Sequence, residues 1–545
     1  MPLNTSSVPK GRAGSSLAEP VVAVNPRSAM YGLIGTVAVF LMIAKIVGAE
    51  NVVEPSRYAP IADGTFGAER EGRPTRLWLA NRPEPSLMFS SNDKSRWATI
   101  RALVDEGTFI VGKRKNFTDT EGPFADTGII FEPDYQSLDK VMNPATGEYF
   151  SSKPPLLATV LAGEYWVLKK VLGWSIVKDR WLVICTILLT INVVPFIFAL
   201  VLLARLIEQY GSTEFGRLFA FTLFALGTFV MTFSHTLNNH SPAVYCVVFL
   251  VYPLLKIGAN ESRGALWMSG FFAGLLATLE LPAASLSAAI FLPLLYLRTV
   301  RTVSTFLPAM MIPVAVLFLC NYAALGKFLP AYSDFGGPWY DYPGSHWKKW
   351  ELVKAGQFVP GIDFNQESTP VYAFHLSFGH HGWFSLTPAF LVGLVGLLLL
   401  AKQSGGDVVK QLGRAITPSD NVHSFRLMGL FTLVVSITVF AFYLTRTQSY
   451  NYGGNTSGPR WLFWLIPLWC LACLPAADWL GQRRWGRISC LVLLGFSVLS
   501  VYYPAWNPWR SPWIMQLCER AGWMNYDVAP RPFDRPSGQP NPGTP

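Results

Sequence analysis

Apolar runs dominate this chain, separated by polar stretches of very unequal length. Runs at about 29–48, 181–204, 218–234, 242–257, 264–280, 283–297, 304–324, 385–401, 427–444, 460–477 and 488–503 are long enough, or nearly so, to cross a hydrocarbon core as helices. They predict an all-α polytopic membrane protein, a bundle of about 11 transmembrane helices. Two polar stretches, 49–180 and 325–384, are far longer than a turn needs, and the first contains helix-like segments of its own.

Charge fixes the expected orientation. With the amino terminus inside, the short inside connections carry Arg205 and Arg217, Lys256 and Arg263, Arg298 and Arg301, Lys402 with Lys410 and Arg414, and Arg483, Arg484 and Arg487. Every one is basic, as the positive-inside rule requires. The segments 49–180, 325–384, 445–459 and the tail from 504 then lie outside. The stretch 156–168 is apolar but short, contains Glu164 and precedes Lys169 and Lys170. If it crossed the membrane, every later loop would flip and the basic ones would face outward. It is therefore expected to lie on the outer surface, with Trp166, Trp174 and Trp181 at headgroup depth. The expected division is a cytoplasmic segment 1–28, a membrane domain 29–503 and an outer tail 504–545, whose Pro-rich end is disordered by composition. The first run is followed by no convincing cleavage site and is expected to be retained.

Composition agrees. The chain has 545 residues, 51% hydrophobic and 14% charged, against about 25% charged in soluble domains. Its net charge of +10 sits largely at the ends of apolar runs, so membrane topology accounts for it and nucleic acid is not an expected partner. Six of the seven cysteines fall in apolar runs without metal-ligand spacing and read as packing residues. Pro195, Pro282, Pro293, Pro313 and Pro467 interrupt runs, as membrane helices tolerate. No internal repeat suggests the inverted halves of a transporter.

The polar residues expected at the outer face carry the chemistry. Asn92 to Val111 reads as an amphipathic helix, with Trp97, Ile100 and Val104 forming its stripe, Asn92 or Asp93 its cap and Gly107 its end. Lys153 precedes Pro154 and Pro155, which suit a first helical turn. A lysine held there suits a phosphate, or simple snorkelling. A turn at 234–242 holds His235, Asn238, Asn239 and His240; its histidines are five apart with no acid beside them, so no zinc site is expected. Glu280 closes one run, His380 and His381 precede another, and Arg460 enters a third. Ionisable groups at such depths are functional candidates. Their scatter is unlike the repeated rings of a channel.

The motif Asp93-x-x-Arg96-Trp97-Ala98, then Gly107, then Lys153-Pro154-Pro155-Leu156, resembles the first outer loop of the GT-C integral-membrane glycosyltransferases. The closest branch is that of lipid A aminoarabinose transferases and bacterial relatives of protein O-mannosyltransferases. The resemblance implies inverting transfer of a sugar from a polyprenyl-phosphate donor to a lipid, glycan or protein, in a bacterial inner membrane with the site facing outward. It implies Asp93 as catalytic, Lys153 as donor-phosphate ligand and Arg96 as a pocket residue. Arg460 joins Lys153 as a second phosphate ligand on topology, and Asn238, Asn239, His240, Glu280, His380 and His381 are pocket candidates. Trp97 replaces the usual tyrosine. Lys94 stands where that family has a second acid, so no metal ligand set is assigned, although the chemistry leaves room for a divalent cation. The alternatives are a flippase of lipid-linked saccharides and a non-catalytic assembly protein.

Overall fold

The structure is a computed structural model that describes residues 26–51, 86–256, 262–364, 367–403, 421–445 and 451–526. The expected amino-terminal segment up to residue 25, the loop with Lys410 and Arg414, and the end of the tail, for which composition predicts disorder, lie outside the described residues. The described residues are mostly helical, with 70% helix and 3% strand. Among the described residues, seven helices are long and apolar enough to cross a membrane: Pro26–Val47, Arg180–Tyr210, Glu214–Thr232, Thr299–Leu325, Ser424–Leu444, Arg460–Leu480 and Arg484–Tyr502. Shorter apolar helices occupy His240–Leu255, Leu281–Leu297 and Phe390–Lys402, and Arg263–Leu279 fills the remaining predicted run. The outward faces of these helices expose Phe40, Phe198, Leu292, Leu319, Ile437 and Leu491, the reverse of a soluble surface. The chain is built as a membrane protein.

Close helix packing depends on small residues. Gly270 and Gly274, one turn apart on Arg263–Leu279, face Leu307–Leu325 and the turn before it. A Cβ on Gly270 would sit 2.2 Å from the Phe306 carbonyl oxygen, and one on Gly274 2.1 Å from that of Met310. Such small-residue seams let membrane helices approach until their backbones touch. Gly274→Ala is expected to lower the melting temperature of the purified protein, since overpacking costs about 1–3 kcal/mol. Gly163→Ala, where a Cβ meets nothing within 4 Å, should not. Equal melting of the two variants would mean that the seam adds nothing.

The all-α expectation needs correction outside the bundle. Strands β1 (Gly112–Arg114), β2 (Asp126–Thr127), β3 (Lys140–Met142) and β4 (Glu148–Ser151) form an antiparallel sheet in the order β2-β1-β4-β3. Asn143 starts the β3–β4 turn by accepting the Ala145 N–H on its side chain, and Gly147 closes it at φ 69°. The sheet belongs to a cap that joins the two long polar stretches. Val141 and Phe150 share a small core with Tyr340, Trp347, Trp350 and Phe364. The Met142 N–H donates to the Trp339 carbonyl at 3.0 Å, and Arg114 donates to that of Pro343 at 2.9 Å.

A second correction concerns the helix Ser91–Arg101. Its cap is Ser90, whose hydroxyl accepts the Asp93 N–H, not Asn92 or Asp93. Nor is it amphipathic, because every residue from Asn92 to Ile100 is buried. It is wedged among the helix Pro155–Val167, β4 and the turn Ile129–Phe131. Its polar residues therefore need internal partners. Ser95 Oγ donates to the Asp139 carbonyl at 2.6 Å, and Thr99 Oγ1 donates to that of Ser95. Gly107, at φ 70°, ends the segment as expected, after a π-turn at Ala102–Glu106.

Candidate functional site

Arg96 points from this helix toward the turn at 234–242. Its guanidinium donates to the Asn92 carbonyl at 3.1 Å, to the Asn92 side chain, and to Asn239 Oδ1 at 2.6 Å. The Asn239 amide donates to Glu280 Oε1 at 2.7 Å and to the Leu279 carbonyl at 2.9 Å. Glu280 also meets His240 Nδ1, and His240 Nε2 lies 3.4 Å from Arg460 Nη1. One polar chain thus joins Arg96, Asn239, Glu280, His240 and Arg460, residues from four separate parts of the sequence. Each is at least largely buried, where an unpaired polar group is costly.

Asp93 lies at the base of this chain with no exposed surface. Its two carboxylate oxygens accept the Phe89 N–H at 3.1 Å and the Leu237 N–H at 3.2 Å. It therefore ties the first outer segment to the histidine-bearing turn. Burial pushes its carboxyl up to about 7, against the two amides and nearby Arg96 and Lys94, which favour the charged form.

Lys153 ends the sheet segment just before Pro154, and its ammonium lies 2.9 Å from Asp139 Oδ1. Burial pulls the ammonium below its usual range, while Asp139 holds it up and Arg96 and Arg460 press it down. Lys153 and Arg460 thus belong to one buried electrostatic cluster. Beside them opens a cavity of about 540 Å³. Asn92, Lys94, Asp139, Asp363, Arg460 and Trp509 are among its walls; Asp93 and Lys153 are not. Burial raises Asp363 to about 6, with Asp139 adding to the shift and Arg460 and Lys153 opposing it. Burial lowers His346, also in the wall, to about 4.

Arg460 is held by backbone and by a ring. Its Nε and Nη2 donate to the Gly453 carbonyl at 3.1 and 2.8 Å, and its guanidinium lies 4.8 Å from the centre of the Trp509 ring. Gly453 sits at φ 94°, and a Cβ there would come 3.1 Å from Arg460 Nε, so both backbone shape and space call for glycine. Trp509 comes from the tail, which is bound to the same loop: the Ser457 N–H donates to the Pro508 carbonyl at 2.9 Å.

Three predicted pocket residues lie elsewhere. Asn238 spends its side chain on the backbone, accepting the Ser241 N–H at 2.8 Å and donating to the Phe233 and Thr236 carbonyls. His380 and His381 stand in a separate cluster with His375, Tyr452 and Tyr526. The residues missed are Asp139, Asp363, His346, Gly453 and Trp509. Only Trp509 had a signal: the aromatic stretch from Trp506 to Trp513 is not the composition of a free tail. No protein-family model matches this chain, and no curated protein matches it either.

Proposed function

We propose that the chain is a membrane glycosyltransferase that moves a sugar from a polyprenyl-phosphate donor to a lipid, glycan or protein acceptor at the outer face of a bacterial cytoplasmic membrane. The observation that carries this reading is a buried charge cluster of Lys153, Arg96 and Arg460, of which Arg460 lines a cavity that Lys94, Lys140 and Asp139 also line. A phosphodiester linking sugar to lipid brings one negative charge to that place and leaves with more as the sugar departs. Buried cations aimed at developing charge lower the barrier most. The acceptor's hydroxyl or amine attacks the anomeric carbon, the bond from that carbon to the phosphate oxygen breaks, and the acceptor's proton passes to a carboxylate. Asp93 is the base that the family resemblance implies. Asp139, the ion-pair partner of Lys153, is one of two carboxylates in the cavity wall, with Asp363. Purified protein in lipid vesicles, offered several polyprenyl-phosphate sugars, should consume one of them in the presence of acceptor. A flippase would instead carry donor across the bilayer intact.

The same reading requires eleven spans with the sheet-bearing cap outside. The helix Pro155–Val167 then lies along the outer surface, where its exposed Val160, Trp166 and Val167 meet lipid headgroups. A cysteine at position 175 should react with impermeant reagents only from outside. Reaction only from the cytoplasm would invert the arrangement and separate Glu280 and Arg460 from an outer donor.

A further inference from the structure

A second polar cluster lies beside the cavity and is not used by the transfer reaction. Glu367, His375 and His380 each offer one donor atom, and the three atoms lie within 4.8 Å of one another. Counting protons shows what the cluster lacks. His381 Nε2 is 3.0 Å from the Thr456 carbonyl, which can only accept, so that nitrogen carries the hydrogen. In a neutral ring Nδ1 of His381 is then an acceptor. It lies 2.5 Å from His380 Nδ1, which must therefore donate. That leaves Nε2 of His380 a bare lone pair, 2.7 Å from the Tyr526 hydroxyl. The same hydroxyl is 2.7 Å from Glu367 Oε1 and has only one proton for the two acceptors. The third member, His375, has a buried Nδ1 with no hydrogen-bond partner.

We propose that Glu367, His375 and His380 bind one divalent transition-metal ion, with the Tyr526 oxygen or a water as fourth ligand. Two imidazoles and a carboxylate are a donor set suited to zinc(II). The local backbone supports the pairing: a Cβ on Gly379 would fall 2.3 Å from His375 Nδ1, so glycine there lets the two histidine rings approach to 4.1 Å between centroids. Tetrahedral bonds of zinc length place ligand atoms roughly 3.3 Å apart. Glu367 and His375 are only partly buried, and small side-chain rotations would close the remaining distance. His381 is the outer partner that orients His380. The ion would also brace the transfer site from behind. Tyr452 donates to Glu367, stacks on His381, and immediately precedes the Gly453 whose carbonyl holds Arg460.

The test needs no assay of sugar transfer and so stands apart from it. Tag-free full-length protein in detergent is stripped with chelator and titrated with cobalt(II). One equivalent should bind with the strong visible bands of a four-coordinate site, and zinc(II) should displace it. X-ray absorption of the zinc-loaded wild type should show two imidazoles and oxygen. His375→Ala and Glu367→Gln should abolish the bands, and His381→Ala should weaken binding by about 10–100-fold. His346→Ala, outside the cluster, should bind as wild type does. Failure of the stripped wild type to take up cobalt(II), or a zinc shell without two imidazoles, would overturn the proposal whether or not the variants fold. So would unchanged binding in folded His375→Ala and Glu367→Gln.

Discussion

Lys153→Ala and Arg460→Ala should each slow sugar transfer by about 10²–10³-fold, the usual cost of removing one group aimed at developing negative charge. The loss should fall mainly on turnover, because the phosphate gains charge as the sugar leaves and the missing interaction is strongest there. The two residues should differ in how they tolerate replacement. Lys153 presents a compact ammonium 2.9 Å from Asp139, and Lys153→Arg keeps both the charge and the pairing, so partial activity should remain. Arg460 uses two nitrogens on one carbonyl and its plane on Trp509. Arg460→Lys keeps the charge but not the fork, and should recover little. Lys153→Ala also removes an ion-pair partner of the buried Asp139, so a melting curve must accompany the rate. If both alanine variants fold and consume donor with unchanged affinity and turnover, the phosphate does not bind here.

Asp93→Asn should reduce transfer by about 10²–10⁴-fold, the range for loss of a general base. The wild-type rate should also depend on pH in a defined sense. Burial raises the Asp93 carboxyl to about 7, so it is mostly protonated below that value and mostly ionised above. Only the ionised form accepts a proton, so the rate should rise as pH increases through about 7 and then level off. Asp139→Asn releases Lys153 and should lower the rate while leaving this rise in place. A rise that survives in Asp93→Asn but disappears in Asp139→Asn would transfer the basic role to Asp139. A near wild-type rate in Asp93→Asn would leave Asp93 as the tie between Phe89 and Leu237 alone.

Much of the bundle was legible because lipid imposes one rule on every span. The predicted apolar runs are largely helical, although 218–234 breaks at Gly227 and Thr228 and 385–401 is one continuous helix only from Phe390, and the Gly107 and Pro155 boundaries fall where backbone chemistry puts them. The cap was not legible. Strands of two to four residues are too short to show an alternation, and the sheet exists because Val141 and Phe150 find Trp347 and Trp350 nearly two hundred residues away. The stripe at Trp97, Ile100 and Val104 misled for the same reason. Periodicity assumes that the polar side meets water, whereas the polar side of Ser91–Arg101 meets Asp139, Ser151 and Asn239. Of the polar chain, His240, Glu280 and Arg460 were singled out by their position at the ends of apolar runs, and Arg96 by the motif resemblance alone. Asp139 and Asp363 were not, since an aspartate in a polar loop has no mark until the loop is folded.

The attachment of the tail to the loop around Arg460 has a consequence for biogenesis. The ring against Arg460 and the carbonyl bonded to Ser457 are both made after the last predicted span. A chain paused on the ribosome with Arg460 already inserted lacks the face that holds the guanidinium. Competence for transfer would therefore arrive late and abruptly, once residues through Trp509 have crossed the membrane and docked. If the proposed function holds, that timing would keep a half-inserted bundle from engaging a lipid-linked donor while its loops are still being threaded.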